Sequence, residues 1–348
     1  MLSLAGRLIG PGQPPFVIAE MSGNHNRSLD RALAIVDAAA GAGAHAIKLQ
    51  TYTADTLTID AAREEFTIAD EGSLWKGRRL YELYQEAYTP WEWHGPIMER
   101  ARQRGIVCFS SPFDETAVDF LEGLGAPAYK IASFENVHLP LIRKAAATGK
   151  PLIISTGMAT MAELDDAVAA ARGAGCRDLV LLKCTSTYPA TPENTNLATI
   201  PDMRARYGCE IGLSDHTMGV GAAVAAVALG ATVIEKHFTL ARADGGVDSA
   251  FSLEPQELEA LVVETGRAAL AMGHVSYGPT AAETKSLRFR RSLFAVRDIE
   301  AGEALTIDNV RIIRPGYGLP PKEIDRVIGR VARSRIARGT PLSWDLIA

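Results

Sequence analysis

Two short runs, GLSDHT (Gly212 to Thr217) and VIEKHF (Val233 to Phe238), each start on apolar residues and reach a histidine, His216 or His237. Between them lies GVGAAVAAVALGA, a stretch of small residues suited to a helix. The whole reads as strand, helix, strand, a crossover in which both strands are parallel and their carboxyl ends share one edge of the sheet. Two imidazoles at matching strand ends can converge on one metal ion, as in a barrel enzyme. A lone histidine in such a place as readily hydrogen-bonds a nearby carbonyl. It is the pair that points to a metal.

Other polar residues crowd the ends of apolar runs. Lys48 and Gln50 alternate to one side of IKLQT, while Lys130 and Ser133 fall in AYKIAS, read as a single strand. Ser111, Ser155, Ser186 and Ser214 end four further strand-like runs. A lysine inside an apolar strand is costly to bury unless an anion pairs with it. Two such lysines with a ring of hydroxyls make a cradle for phosphate or carboxylate, although any single serine can equally bond its own loop. Glu20 closes IAEMSGNHN's first strand and is placed to move a proton or orient a water; an ion pair with Lys48 is compatible with that role. Asn24 and His25 follow where they could orient substrate, and Glu235 shares a strand face with His237 and could support it as a ligand. GVGAAV imitates a dinucleotide fingerprint, but it belongs to the seventh unit of a series, which speaks against that reading.

The elements that must position these groups alternate regularly. Strand-like runs occur at 16–21, 46–52, 107–113, 128–133, 152–157, 179–188, 210–217 and 233–240, with helical patterns between them. Their continuous apolar character suits parallel strands covered on both faces. Eight β/α units predict a (β/α)8 TIM barrel over 1–275. The segment Ala54 to His94 is too long for a plain loop. Its aromatic residues suit either a wall over substrate or ordinary loop packing. A linker at 276–290 and a compact β-rich domain at 291–348 complete the expected organisation.

Composition narrows the function classes. A net charge of −5 provides no basic footprint for nucleic acid, and RFRR (Arg288 to Arg291) is too short to supply one. No apolar run is long enough for a membrane span, and no secretory signal is visible. Four cysteines without metal-ligand or CxxC spacing fit a reducing cytoplasm, with Cys108 and Cys184 read as small core residues.

Taken in order, IAEMSGNHN, IKLQTY, FSSPF, AYKIAS, ISTGMA, CTSTYP, GLSDHT and EKHFTL resemble the motifs of the sialic acid synthase family. The tail, with IRPG at 313–316, resembles that family's C-terminal antifreeze-like (SAF) domain. YELYQEAYTPWEWH, GGVDSAFSLEP and RPGYGLPP resemble its pseudaminate branch; Ser186 and Ser111 depart from the Asn and Thr common elsewhere, which leaves sugar selectivity open. The resemblance implies condensation of phosphoenolpyruvate with an amino sugar, a divalent metal (Mn²⁺ or Mg²⁺) on His216 and His237, and a domain-swapped homodimer. It further implies that Lys48, Lys130, Ser111, Ser133, Ser155, Ser186 and Ser214 bind phosphoenolpyruvate and that Glu20 handles water or a proton. Tyr188 and Asp248 would bind the sugar, and Arg314 would close the site of a partner subunit. An N-acetylneuraminate or legionaminate synthase is the alternative within the family, and a non-catalytic carbohydrate-binding protein the alternative outside it.

Overall fold

The computed structural model describes residues 1–348 and divides them into two compact units, Met1–Gly273 and His274–Ala348. The first opens with a hairpin of β1 (Leu2–Leu4) and β2 (Arg7–Ile9). Eight strands follow: β3 (Phe16–Glu20), β4 (Ala46–Thr51), β5 (Val107–Pro112), β6 (Tyr129–Ile131), β7 (Leu152–Ser155), β8 (Leu179–Cys184), β9 (Glu210–Asp215) and β10 (Val233–His237). Neighbours pair in parallel and β10 returns to β3, so the sheet closes as the expected barrel.

Local sequence explains the connecting helices. Leu29–Gly41 starts where the Ser28 side chain accepts from the Arg31 amide, and it buries Ala32, Ile35, Val36 and Ala39, one face at helical spacing. Met161–Gly173 starts on a reciprocal Thr160–Glu163 capping box. These faces meet the outward side chains of the strands, such as Val17, Ala19, Ile47 and Leu49, in one continuous core.

Inward side chains build a second core. Phe16, Ile18, Ala46, Phe109, Ala128, Ile153, Val180, Leu182 and Val233 fill the lower barrel and pack against Leu2, Leu4 and Ile9. The hairpin therefore plugs the amino-terminal end of the barrel. Strands of three residues carry too little periodicity to be foreseen, and the hairpin exists because the barrel floor offers it an apolar surface.

Two expected boundaries are corrected. Ser133 is outside β6 and opens a 3-10 turn, Ser133–Glu135, because Asn136 Nδ2 bonds the carbonyls of Ser155 and Thr156 and draws the chain across. The insertion ends earlier than His94: Trp91, Trp93 and His94 belong to the barrel helix Trp91–Arg104, where Trp91 packs on Phe120 at 4.6 Å between ring centroids. What remains of it holds two short helices, Ala54–Leu57 and Leu80–Ala87.

In the second unit β11 (Ser292–Ala295) pairs antiparallel with β12 (Val310–Ile313). Its own small core includes Leu293, Ile299, Leu305, Val327, Ile336 and Leu342. No helix of the protein is long and apolar enough to cross a membrane.

Two fully buried histidines tie the fold to pH. His94 Nε2 lies 2.8 Å from Thr51 Oγ1, and His25 Nε2 lies 3.2 Å from Thr89 Oγ1. Burial pushes both imidazoles down to about 4. Between pH 6.5 and 4 the unfolded chain therefore takes up protons that the folded chain refuses, and stability falls as pH falls. Each histidine contributes on the order of 3 kcal/mol to that loss. Urea unfolding at pH 7 and pH 4.5 checks this: His94→Gln lowers stability at pH 7 but loses less than the wild type on acidification. Equal losses in the two proteins would exclude the linkage.

Candidate active site

Above the apolar layers, the next inward positions carry charge. Strand register sets Glu20 of β3 between Lys48 of β4 and His237 of β10. Lys48 Nζ lies 2.8 Å from Glu20 Oε2 and 3.3 Å from Glu235 Oε1, and Lys130 Nζ lies 3.1 Å from that same Glu235 oxygen. Gln50 Nε2 donates to Glu20 Oε1 and Ser214 Oγ to Glu235 Oε1, both at 3.1 Å. None of the four charged side chains is more than 5 % exposed, so each depends on the others for its charge.

Their proton affinities are pushed apart. Burial raises Glu20, with Glu235 adding to the effect and Lys48 only partly opposing it. Burial would raise Glu235 as well, but Lys130 and Lys48 outweigh it and keep this carboxylate ionised. Lys48 is raised despite burial because Glu20 and Glu235 flank it, whereas burial leaves Lys130 lowered. One acid of the cluster is thus poised to hold a proton, and the other is not.

These groups line a cavity of about 740 Å³ together with Ser133, Ser155, Ser186, Tyr188, His216, His237 and Asp248. Ser186 Oγ donates to Ser133 Oγ at 2.7 Å. Gly157 permits that approach: at φ +39° it faces both serines, and a Cβ there would collide with Ser133 and come 2.8 Å from Ser186 Oγ. Ser111 differs from its expected place. It is fully buried outside the lining and receives a 3.3 Å hydrogen bond from Lys48 Nζ, so it supports the lysine from behind.

His216 and His237 do meet, with ring centroids 5.4 Å apart. His216 Nδ1 donates to the Thr185 carbonyl at 2.8 Å, which leaves Nε2 as the nitrogen that could meet a ligand. Burial, with His216 and Lys48 nearby, pushes His237 well below the usual imidazole range, and its Nδ1 has no hydrogen-bond partner. His237 is therefore neutral, whereas burial of His216 is outweighed by Cys184 and the Thr185 carbonyl, which raise its proton affinity. A divalent cation between them would take the lone pair of His237 and displace the proton of His216. No group of three His, Cys, Asp or Glu side chains converges as a metal set, so further ligands would come from water and substrate. The acid nearest His237 is Asp248, 4.0 Å from Nδ1. Glu235, expected to support His237, is turned to the lysines instead because they offer full positive charge.

Behind the histidines stands an outward-facing clamp. Lys236 Nζ bonds Asp215 Oδ2 at 2.8 Å and the carbonyls of Thr217 and Gly219 at 2.6 and 2.9 Å, fixing the backbone just past His216. Tyr188 packs on His216 at 4.5 Å and faces Trp75 of the insertion at 6.0 Å. Of the insertion's aromatic residues Trp75 and Tyr84 line the cavity, with Leu80 and Leu83 beside them.

Three further residues, not expected there from the sequence, line the cavity. Glu135 lines the cavity, and burial pushes its carboxyl up to about 7. An acid five residues past Lys130, just beyond a strand end, was the available signal. Cys184 lines the cavity too, instead of filling core; burial raises its thiol, but His216, Lys130 and Ser186 outweigh that and bring it to about 7. Tyr52 reaches the lining from β4's end, where only tertiary contacts reveal it. Asn24 and His25 do not reach the cavity: Asn24 bonds the Phe238 carbonyl and Ser252, and His25 bonds Thr89. Arg314 is exposed on the loop after β12 in the second unit. Buried polar atoms without a hydrogen bond include Glu135 Oε2, Ser155 Oγ, Glu235 Oε2 and His237 Nδ1, all in this cavity, and only Asn24 Oδ1 lies on a residue outside its lining. Such concentration marks a site built to receive polar groups.

Residues 35–277 match the NeuB family, and residues 290–348 match the SAF domain. The pseudaminic acid synthase of Helicobacter pylori is 43 % identical over 335 residues, covering 96 % of this chain and 98 % of that protein. A pseudaminic acid synthase of Campylobacter jejuni is 46 % identical over 327 residues, covering 94 % and 95 %. The solved structure of N-acetylneuraminic acid synthetase from Leptospira borgpetersenii, in complex with citrate, superposes with a TM-score of 0.73 at 33 % identity, over 83 % of this chain and 95 % of that one. The barrel and the small C-terminal domain thus have family counterparts along nearly the whole sequence, and the chain belongs to the NeuB family.

Proposed function

We propose that this chain is a pseudaminic acid synthase, a transferase that condenses phosphoenolpyruvate with 2,4-diacetamido-2,4,6-trideoxy-L-altrose and releases phosphate. The observation that carries this reading is the buried layer of two lysines and two glutamates beneath a pair of histidines, in a cavity of about 740 Å³. Relatives bearing that activity by name align over nearly the full chain. The amino-sugar assignment follows the branch of those relatives; N-acetylneuraminate and legionaminate synthesis are the competing outcomes.

In this reading Lys48 and Lys130, with Ser133, Ser155, Ser186 and Ser214, hold the phosphate and carboxylate, and Ser111 steadies Lys48. C3 of phosphoenolpyruvate forms the new bond to the aldehyde carbon of the open-chain sugar, whose oxygen takes up a proton. Water adds at C2 and gives up a proton, and the C2–O bond to phosphate then breaks as the new C2 hydroxyl passes its proton to the departing phosphate, leaving a 2-keto acid. Glu20 and Glu135, both with raised proton affinity, are the groups suited to those transfers. Tyr188 and Asp248 hold the sugar. His216 and His237 would hold a divalent cation, Mn²⁺ or Mg²⁺, whose chemistry is to polarise the aldehyde oxygen.

The same proposal takes 1–275 as the catalytic barrel, 276–290 as a linker and 291–348 as the SAF domain. It makes the enzyme a domain-swapped homodimer in which Arg314 completes the partner's site. Two features support a docking partner for the barrel. Residues 274–348 hold 13 Lys and Arg against 8 Asp and Glu, leaving residues 1–273 with 23 against 33. Phe134, Val137, Met158 and Met218, in the connections after β6, β7 and β9, and Met161, at the start of the helix Met161–Gly173, are each half exposed or more. A cytoplasmic location follows from the supply of phosphoenolpyruvate, a cytosolic metabolite.

Mass spectrometry and phosphate release with a panel of amino sugars test the activity. The expected result is a nonulosonic acid from the diacetamido-trideoxy sugar, lost on chelation, restored by Mn²⁺, and absent in His216→Ala and His237→Ala. Full activity after exhaustive chelation would end the metal assignment, and no phosphate release with any sugar would end the enzymatic one.

The serine pair provides a finer check. Gly157→Ala pushes Ser133 and Ser186 apart and should raise the KM for phosphoenolpyruvate about tenfold. An unchanged value removes both serines from the cradle.

Subunit mixing tests the swap. Arg314→Ala and Glu20→Gln are each expected to be inactive, and exchange of subunits between them should restore activity, because one mixed site then carries neither defect. If Arg314 serves its own barrel, every mixed site keeps one defect and nothing returns.

A further inference from the structure

Ser22 stands two residues past Glu20 with φ +47°, a left-handed conformation that glycine adopts freely and a residue with a Cβ does not. It is 3 % exposed and lines the cavity, so neither solvent nor a loose loop explains the conformation. Its hydroxyl donates to Asp248 Oδ2. Around Asp248 the loop is fastened mainly through its backbone. Asn26 Nδ2 donates to the Gly245 carbonyl at 3.1 Å, Trp75 Nε1 to the Val247 carbonyl at 3.0 Å, and Ser252 Oγ to the Asp248 carbonyl at 2.7 Å. Those bonds place the loop. Ser22 grips the carboxylate itself.

We propose that Ser22 is a positioning residue for the amino sugar: its strained backbone aims the hydroxyl at Asp248, fixing that carboxylate as an acceptor for a sugar hydroxyl or amide N–H. Strain of this kind persists where the surroundings over-determine it, which favours a role in the site over one in the fold. The inference rests on the reading of Asp248 as a sugar contact.

Substitution separates strain from hydroxyl. Ser22→Gly removes the hydroxyl and relieves the backbone, whereas Ser22→Ala removes the hydroxyl and keeps the strain. Steady-state kinetics with each substrate varied in turn, alongside thermal melting, is the test. For Ser22→Gly the melting temperature stays within about 3 °C of the wild type. Its sugar KM rises about tenfold or more while the phosphoenolpyruvate KM stays within roughly twofold. Ser22→Ala shows the same KM split and melts below Ser22→Gly. Asp248→Asn separates the two levels of the argument. A sugar KM unmoved in that variant defeats the sugar role of Asp248, whereas a raised one with Ser22→Gly at the wild-type value overturns the role of Ser22 alone. Equal rises in both KM values for Ser22→Gly also overturn it.

Discussion

A barrel of eight parallel strands turns half its strand residues inward, and near the carboxyl ends four of those side chains here are charged. Glu20, Lys48, Lys130 and Glu235 come from β3, β4, β6 and β10, so their mutual neutralisation exists only when those four strands are in register around the closed sheet. Deleting one partner would leave an uncompensated buried charge, at a cost of roughly 3–5 kcal/mol. The cluster therefore constrains the fold and the chemistry together. Its strand register decides which acid is surrounded by lysines and stays ionised, and which is left to hold a proton.

Stability has to come from elsewhere, because a polar layer with unbonded atoms stabilises little. The lower barrel supplies it: apolar inward residues, closed from below by the hairpin, lie directly beneath the charged layer. Outside the sheet, the Lys236–Asp215 clamp fixes the backbone at the histidines. Strand alternation explains how one stretch, Glu235 to His237, serves both tasks: its outer residue braces the scaffold and its inner ones face the cavity. The site is polar and under-bonded because the layers around it are neither.

The loops above this layer have a different logic. Strand-borne groups are held by the sheet, but Asp248 and Tyr188 sit on loops, and their placement depends on contacts far apart in sequence. Trp75 of the insertion bonds the loop of Asp248 through the Val247 carbonyl and faces Tyr188. The insertion is thus a cavity wall that also ties the loops of Tyr188 and Asp248 together.

How much of this was legible follows from the range of the forces involved. Continuous apolar runs at regular intervals determined eight parallel strands, and buried lysines among them, with histidines at strand ends, determined that one barrel edge would carry the chemistry. These are local signals, set by side-chain period and by the cost of burying charge. The sequence could not decide partners. Glu235 was as free to support His237 as to pair with the lysines, and the lysines won because opposite full charges at about 3 Å outweigh a neutral ring. Ser111 behind Lys48, Cys184 in the cavity, Ser133 beyond its strand and the barrel-floor hairpin were likewise decided by closure of the sheet. The conformation of Ser22 was too, since nothing in IAEMSGNHN announces a left-handed serine. Pattern alone specifies which residues face inward, but only three-dimensional packing, acting between residues some hundred or two hundred positions apart, specifies what they meet.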